Sequence, residues 1–151
     1  MTTFLADAML GRLAKWLRIL GYDTLYGVHW DDNELARRSR AEGRVLLTRD
    51  GELARRRGLR VLFIHQQELE PQLAEVLAAY PPPPEGFFSR CPECNAPLQD
   101  VPKEAAREQV PPYVYQTQAR FRRCPQCLRL YWQGTHWQRM RERLAELVRP
   151  R

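Results

Sequence analysis

The chain has 151 residues, which is enough for one compact domain and a small metal-stabilised module. Its formal net charge of +6 is concentrated in residues 81–151, which hold 12 basic and 7 acidic side chains. No run of about 18 apolar residues could span a membrane, and residues 1–7 lack a signal-like pattern, so we expect no membrane association and a cytoplasmic location.

Residues 1–80 alternate short apolar runs with helical patterns, which is typical of β-α units. Each predicted strand is followed by a predicted helix: residues 3–6 and 10–20, 24–28 and 31–42, 45–48 and 50–57, 60–64 and 67–80. Four successive units predict an α/β domain, a three-layer α/β/α arrangement with a parallel sheet between helices.

A proline run, Pro81–Pro84, separates this region from the rest and predicts a stiff linker over residues 81–88. The predicted second domain covers residues 89–151 and ends in a helix at residues 136–148, with Thr135 as its N-cap. Before that helix we expect a short helix at residues 102–109 and strands at residues 113–122 and 128–132.

All four cysteines lie in two C-x-x-C motifs of this second region: Cys91, Cys94, Cys124 and Cys127. Two such motifs supply the four thiolates of a closed tetrahedral structural zinc site, as in a zinc ribbon. Four thiolates also suit iron, so the sequence leaves the choice of metal open. Because protein ligands fill all four positions, we expect this metal to organise the fold and to perform no chemistry.

Acidic side chains follow the first three predicted strands: Asp7, then Asp31, Asp32 and Glu34, then Asp50. The carboxyl ends of parallel strands share one edge of the sheet, so these acids are expected to meet there and to bind Mg²⁺ or Mn²⁺. A simpler explanation stays open, because each acid also stands at the start of a predicted helix, where Asp is a preferred cap. Only metal binding predicts that the acids converge.

Arginine greatly outnumbers lysine, and its planar guanidinium matches phosphate oxygens, so nucleic acid is the expected partner. Arg12 and Lys15 share one side of the first helix near the acidic edge and could contact a phosphate backbone. Arg122 and Arg123 adjoin the second cysteine motif, where they could bind RNA or offset the charge of the metal centre.

The segments Phe4–Arg18, Gly21–Asp23 and Leu46–Asp50 resemble the Mut-seven C-terminal RNase family, a PIN-like domain fused to a zinc ribbon. The four cysteines and Tyr131–His136 fit the second half of that family. The resemblance implies a PIN-like fold and metal-dependent ribonuclease activity, with Asp7 and Asp50 as the first and third acids.

For the middle acid, the resemblance fits Asp31 best, with Asp32 and Glu34 as close alternatives. No residue matches the fourth acid of full-length PIN nucleases, so the number of catalytic ions stays open.

We therefore expect a ribonuclease that binds one or two Mg²⁺ or Mn²⁺ ions through Asp7, Asp31 and Asp50. Arg49 or Lys15 would offset phosphate charge, and the zinc ribbon would present an arginine-rich RNA surface. The alternative is a non-catalytic RNA-binding or ribosome-binding zinc-ribbon protein, in which the acids act as caps. A nuclease that works only with a protein partner is a third hypothesis, and the oligomeric state is open.

Overall fold

The computed structural model describes residues 2–83 and 86–147. Its larger sheet has four strands, and every neighbouring pair is parallel. These strands are β1 (Phe4–Asp7), β2 (Thr24–Gly27), β3 (Val45–Thr48) and β4 (Arg60–Phe63). Their order across the sheet is β2-β1-β3-β4, so β1 and β3 occupy the centre. The four predicted strands are confirmed.

Four helices alternate with these strands: α1 (Gly11–Ile19), α2 (Asp32–Glu42), α3 (Gly51–Ala54) and α4 (Leu69–Ala79). A 3₁₀ turn at Ala8–Leu10 joins β1 to α1. Helix α2 ends at Gly43, whose φ of 65° is readily adopted by glycine. Helix α3 is shorter than the predicted 50–57, since it ends before the turn at Gly58, where φ is 77°.

Apolar side chains cover both faces of the sheet. Leu13 and Leu17 of α1 pack on one face with Leu73 of α4, in the larger core. On the other face, Leu35 of α2 and Leu53 of α3 form a smaller core with side chains of β1 and β3. Because alternate side chains of a strand point to opposite faces, both cores draw on the same central strands. The predicted three-layer α/β/α arrangement is confirmed.

The second region has a small antiparallel sheet in the order β5-β6-β7. Its strands are β5 (Gln99–Val101), β6 (Phe121–Arg123) and β7 (Leu130–Tyr131). Two short helices lie between β5 and β6, namely α5 (Lys103–Ala106) and α6 (Pro112–Thr117). The predicted strand at residues 113–122 is confirmed only at its last two residues, which belong to β6. Residues 113–117 are helical, because a proline at the first position of α6 favours a helix start, and residues 118–120 form the loop before β6.

The last helix, α7 (Thr135–Leu147), agrees with the predicted helix at residues 136–148, whose final residue lies outside the described part of the chain. Two residues of the predicted linker, Pro84 and Glu85, also lie outside it. Within the described residues, no helix is long and apolar enough to cross a membrane.

Helix α7 packs on the larger sheet's core, although it follows the small sheet in sequence. Its buried side chains Trp137, Met140 and Leu144 belong to the same core as α1 and α4. The Trp137 ring stacks on Trp16 of α1, with the ring centres 6.0 Å apart, and meets Phe88 edge-on at 4.8 Å. After the cysteine motifs, the chain therefore returns to the larger domain, where α7 packs in the same core as α1 and α4.

The first cysteine motif is fixed to the edge strand β2. Arg18 of α1 donates to the carbonyl oxygens of Thr24 and Pro92, each at 2.8 Å. The side chain of Asn95 accepts from the Thr24 N–H at 3.0 Å and donates to Asp23 at 2.7 Å. The small sheet is thus attached to the side of the larger one.

Replacing Trp137 with alanine should lower the free energy of unfolding by about 3–5 kcal/mol, because the ring is 3% exposed and packs in the main core. Urea denaturation followed by circular dichroism measures this loss. The neighbouring Arg139→Ala is the control, because Arg139 is exposed and should change stability by less than about 0.5 kcal/mol. A loss below about 1 kcal/mol for Trp137→Ala would show that α7 contributes little to the core.

Candidate active site and metal centre

Strand order reverses between β1 and β3, and ligands of open α/β sheets bind beyond the carboxyl ends of the strands at such a point. Asp7 is the last residue of β1 and lies beside Gly27 of β2. Strand β3 ends on the other side of β1 at Thr48. The carboxyl end of β1 thus carries an acid, Asp7, and the carboxyl end of the adjacent strand β3 carries a hydroxyl, that of Thr48.

The Asp7 carboxylate is held in one orientation. It is 5% exposed, and its Oδ1 accepts from the Met9 N–H at 3.0 Å. Its Oδ2 accepts from the Thr48 hydroxyl at 2.5 Å, and the same hydroxyl accepts from the Asp50 N–H at 3.0 Å. Thr48 therefore links the acid of β1 to the start of α3.

Asp50 and Asp31 are the N-caps of α3 and α2. Oδ1 of Asp50 accepts from the N–H groups of Glu52 and Leu53, and Oδ1 of Asp31 accepts from the N–H of Glu34. Each cap uses one carboxylate oxygen, and Oδ2 of both residues has no hydrogen-bond partner among residues 2–83 and 86–147. Capping and ion binding are therefore compatible at both positions.

The other two acids after β2 differ in their surroundings. Glu34 binds Arg37 and Arg38, with carboxylate–nitrogen distances of 2.6 and 2.7 Å. Hydrogen bonds from Arg37, then Arg38, lower the pKa of Glu34 to about 2. Asp32, the first residue of α2, is half-buried and makes no ion pair with the described residues. Asp32 is thus freer than Glu34 to bind a cation.

The acids do not form a compact cluster of three. Within the part of the chain that the structure describes, only the four cysteines form a group of three or more His, Cys, Asp or Glu with ligand atoms within 4.8 Å of one another. Thr48 hydrogen-bonds to the Asp7 carboxylate and to the main-chain N–H of Asp50, while Asp31 follows the neighbouring strand β2.

Asp7, Asp31 and Asp50 also lack a cationic partner among the described residues, whereas Glu34 has two. A nearly buried carboxylate without a countercharge is costly. Its oxygens keep further lone pairs, and carboxylate oxygens are preferred ligands of Mg²⁺ and Mn²⁺. The donor set at this edge therefore fits a hard divalent ion.

A cavity of ≈ 290 Å³ adjoins the turn that follows Asp7. Met9 and Arg12 line one side of it, and Gln67 and Gln72 line the other. Arg12 is exposed, as expected for a residue that contacts a phosphate. The cavity therefore adjoins the connection between β1 and α1, and none of the predicted acids is among its lining residues.

Two other basic residues predicted near this edge have partners within the protein. Lys15 pairs with Glu93 of the first cysteine motif at 3.2 Å. Arg49 donates to the main-chain oxygens of His65 and Gln66, in the segment between β4 and α4. Arg49 therefore supports the loop beside the cavity, and Lys15 contributes to the attachment of the small sheet.

The predicted basic residues of the small sheet lie on β6. Arg122 donates to the Phe88 carbonyl at 2.6 Å and to Asp100 at 3.3 Å. Arg123 is half-buried and pairs through the main chain with residues of β5 and β7. Arg122 thus connects the small sheet to the segment before the first cysteine motif.

The four cysteine sulfurs lie close enough to share one ion. All four are within 4.8 Å of one another, and Cys91 Sγ is 3.8 Å from Cys127 Sγ. The same main-chain hydrogen bond closes both motifs. The N–H of Asn95 donates to the carbonyl oxygen of Cys91 at 2.8 Å, and the N–H of Leu128 donates to the carbonyl oxygen of Cys124 at 2.9 Å. Both Asn95 and Leu128 have positive φ, of 64° and 65°. This paired turn brings the four thiols together in a set that could hold zinc.

Burial raises the pKa values of the Cys91 and Cys94 thiols. At Cys124, burial acts in the same direction, but N–H groups of Cys127 and Gln126 that point at the sulfur lower its pKa to about 7. Such N–H groups stabilise a thiolate, which is the form that binds a metal.

Three residues organise these sites through contacts that sequence reasoning did not predict. Thr48 links the two acids, Tyr131 places its hydroxyl 3.1 Å from Cys91 Sγ, and Asn95 attaches the first motif to β2. Thr48 alone carried a sequence signal, because a hydroxyl residue stood at a strand end, two positions before a predicted Asp cap.

In a comparison with known families, the family model described as Mut7-C RNAse domain matches residues 2–144. The match spans nearly the whole chain and includes every predicted site residue. Comparisons with curated proteins and with solved structures found no match.

Replacing Thr48 with the isosteric valine should lower the free energy of unfolding by about 1–3 kcal/mol, because Asp7 loses a donor and the Asp50 N–H loses its acceptor. Urea denaturation measures the loss. Thr117→Val is the matched control, since this hydroxyl is exposed and bonds only within α6. Equal stability of the two variants would contradict the role given to Thr48.

Proposed function

The chain belongs to the Mut7-C RNAse family, and from this premise we propose that it is a metal-dependent ribonuclease that hydrolyses RNA phosphodiester bonds. The observation that carries the proposal is the Asp7 carboxylate, which is nearly buried and oriented at the switch point without a cationic partner among the described residues. A carboxylate that the fold holds at a ligand-binding edge without a cationic partner is typical of a functional site.

In this proposal, Asp7 and Asp50 are direct ligands of one or two Mg²⁺ or Mn²⁺ ions. Asp31 binds directly or through a water, with Asp32 as the alternative middle acid. Glu34 is the weakest candidate, because Arg37 and Arg38 already use both of its oxygens. When bound, the metal supplies a water of lowered pKa and positive charge beside the scissile phosphate.

The protein's own groups position the substrate. Thr48 keeps Asp7 oriented, so that the site needs little rearrangement when substrate binds. Arg12 offers its guanidinium to a phosphate in the adjoining cavity. Arg49 holds the loop that lines this cavity, and Lys15 reaches a phosphate by leaving its exposed ion pair with Glu93, which costs little.

The four cysteines hold a structural zinc ion, and the resulting ribbon presents Arg122 and Arg123 toward RNA. A protein that keeps its thiols as metal ligands suits a reducing compartment, which supports a cytoplasmic location. Iron is the competing metal at this site, and elemental analysis distinguishes the two.

A second candidate function is RNA or ribosome binding without catalysis. It is favoured by the capping roles of Asp31 and Asp50, and by the lack of a compact three-acid cluster among the described residues. This candidate predicts salt-sensitive RNA binding with no metal-dependent turnover.

Asp7→Asn and Asp50→Asn should each abolish Mn²⁺-dependent RNA cleavage, because a neutral amide binds a hard cation far less well than a carboxylate. Labelled single-stranded and structured RNAs, incubated with and without Mn²⁺ after divalent ions have been removed, provide the assay. Asp31→Asn and Asp32→Asn, compared in the same assay, identify the middle acid as the one whose loss reduces cleavage more.

Glu108→Gln is the control, since it removes a carboxylate from an exposed position on the second region and should leave the rate unchanged. Circular dichroism establishes that each variant is folded. Cleavage at the wild-type rate by both Asp7→Asn and Asp50→Asn would refute the assignment, whereas binding without cleavage by the wild type would favour the second candidate.

The purified protein should contain about one zinc ion per chain, and its removal by a chelator should expose the small sheet to proteolysis. The reason is that the ion would join two motifs whose shared apolar cluster, among the described residues, contains only Ala96, Leu98 and Tyr131 besides the cysteines. Elemental analysis and timed trypsin digestion measure both effects, with restored resistance after zinc addition as the control. Fewer than about half an ion per chain, or unchanged digestion after chelation, would contradict the zinc assignment.

A further inference from the structure

A second cavity, of ≈ 240 Å³, lies where the small sheet meets the start of α7. Its lining comes from four separate segments: the end of the linker, the loop before β6 with β6 itself, the end of β7 with the loop that follows it, and the first turn of α7. The aromatic side chains among them are Phe88, Tyr131 and Trp132. This cavity has no role in the site at the carboxyl ends of the parallel strands.

The aromatic walls are held in place by contacts outside the cavity. The Tyr131 hydroxyl lies 3.1 Å from Cys91 Sγ, and the Trp132 ring packs against Phe121 with centres 6.1 Å apart. The Phe88 N–H donates to the Ile19 carbonyl at 2.7 Å. The cavity is thus built before any ligand arrives, which reduces the entropy cost of binding.

Phe88 has an uncommon backbone conformation, with a φ of 58°. A bulky residue in this left-handed region is strained, and such residues concentrate at binding and catalytic sites. Arg122 helps to hold the strained segment, because it donates to the Phe88 carbonyl at 2.6 Å. The strain therefore places an aromatic residue at the cavity in a defined orientation.

Polar groups at the cavity match the edge of a nucleobase. Gln118, Gln133 and Gln138 contribute to the lining, and their side-chain amides make no hydrogen bond within residues 2–83 and 86–147. Each amide offers both donors and an acceptor, as the edges of bases do. Aromatic faces with adjacent amides are the combination by which proteins bind unpaired bases.

Arg120 supplies positive charge at the rim. Its side chain is 74% exposed, and its ion pair with Asp100, which is also exposed, has a distance of 3.3 Å. An exposed pair of this kind contributes little, so Arg120 can turn to a phosphate at low cost. The cavity is smaller than the 300–1,000 Å³ or so that is typical of drug-sized ligands, which suits a single base.

We propose that this cavity binds one unpaired nucleotide of single-stranded RNA, with the base between the aromatic walls and its phosphate at Arg120. The inference rests on the proposed function in taking RNA as the substrate. Such a site would anchor one nucleotide on the ribbon while another part of the strand lies at the acidic edge. Specificity for single strands follows, because bases of an A-form duplex are not free to enter a pocket.

The test measures binding of a labelled ten-nucleotide single-stranded RNA by fluorescence anisotropy. All proteins carry Asp50→Asn to limit cleavage and are loaded with zinc. Trp132→Leu should weaken binding about tenfold, because it removes a stacking face and keeps an apolar contact for Phe121. A double variant, Gln133→Ala with Gln138→Ala, should weaken binding about fivefold by removing base contacts.

Gln116→Ala is the matched control, because Gln116 is exposed on α6 and does not line the cavity. It should leave the dissociation constant unchanged. Zinc content and circular dichroism establish that the variants are folded, and if Trp132→Leu loses zinc the glutamine variant alone decides.

Two further arms identify the ligand. An RNA from which every base has been removed should bind the protein with the unsubstituted pocket about tenfold more weakly than the intact RNA does. Removing the bases should not weaken binding to Trp132→Leu, which has already lost the stacking face. Uridine and adenosine monophosphates compete for the same site if the ligand is a free nucleotide. The proposal requires the ten-nucleotide RNA to bind more tightly than either monophosphate, and the opposite order would overturn RNA as its source.

Affinities of both pocket variants within twofold of Gln116→Ala would also overturn the proposal. Failure of the proposed nucleotide pocket can be distinguished from failure of the proposed ribonuclease activity. Metal-dependent cleavage with unaffected pocket variants refutes the pocket alone. Pocket-dependent binding, together with no metal-dependent cleavage by the protein that retains Asp50, refutes the ribonuclease and leaves the nucleotide site in place.

Discussion

The hydroxyl of Thr48 is the contact on which the candidate active site depends. It donates to the Asp7 carboxylate on β1 and accepts from the Asp50 N–H at the start of α3. One buried hydroxyl thus fixes an acid from the first strand against the cap of a helix that begins more than forty residues later. Because β1 and β3 flank the point where strand order reverses, this link lies at the edge where open α/β sheets bind ligands.

Attachment of the small sheet to the side of the larger one leaves that edge open. Arg18 and Asn95 join the first cysteine motif to Thr24, the first residue of β2, at the opposite end of the strand from the acids. Helix α7 then returns to the main core through Trp137. The ribbon is therefore held from two directions, which fixes the position of the proposed RNA-binding surface relative to the proposed catalytic edge.

Local pattern predicted the parallel sheet because each β-α unit shows its own periodicity and stop signal, such as Gly43 after α2. It also predicted the acids' positions and the cysteine set, since strand ends and C-x-x-C spacing are local features.

The packing of α7 on the larger core could not be predicted from the sequence. No local sequence feature distinguishes Trp137 packing on Trp16 from Trp137 packing on the ribbon. Helix α6 was missed because Tyr113 and Val114 favour strands, while the preceding prolines start a helix. The bond between Thr48 and Asp7 depends on strand order, which local pattern does not give.

The most direct test of the central claim is a crystal structure of the protein grown with Mn²⁺, with anomalous scattering recorded at energies that distinguish manganese from zinc. The account predicts a manganese peak about 2 Å from a carboxylate oxygen of Asp7, with Asp50 also bound to it, and a separate zinc peak among the four cysteines. A zinc peak at the cysteines with no manganese near Asp7, at saturating Mn²⁺, would contradict it.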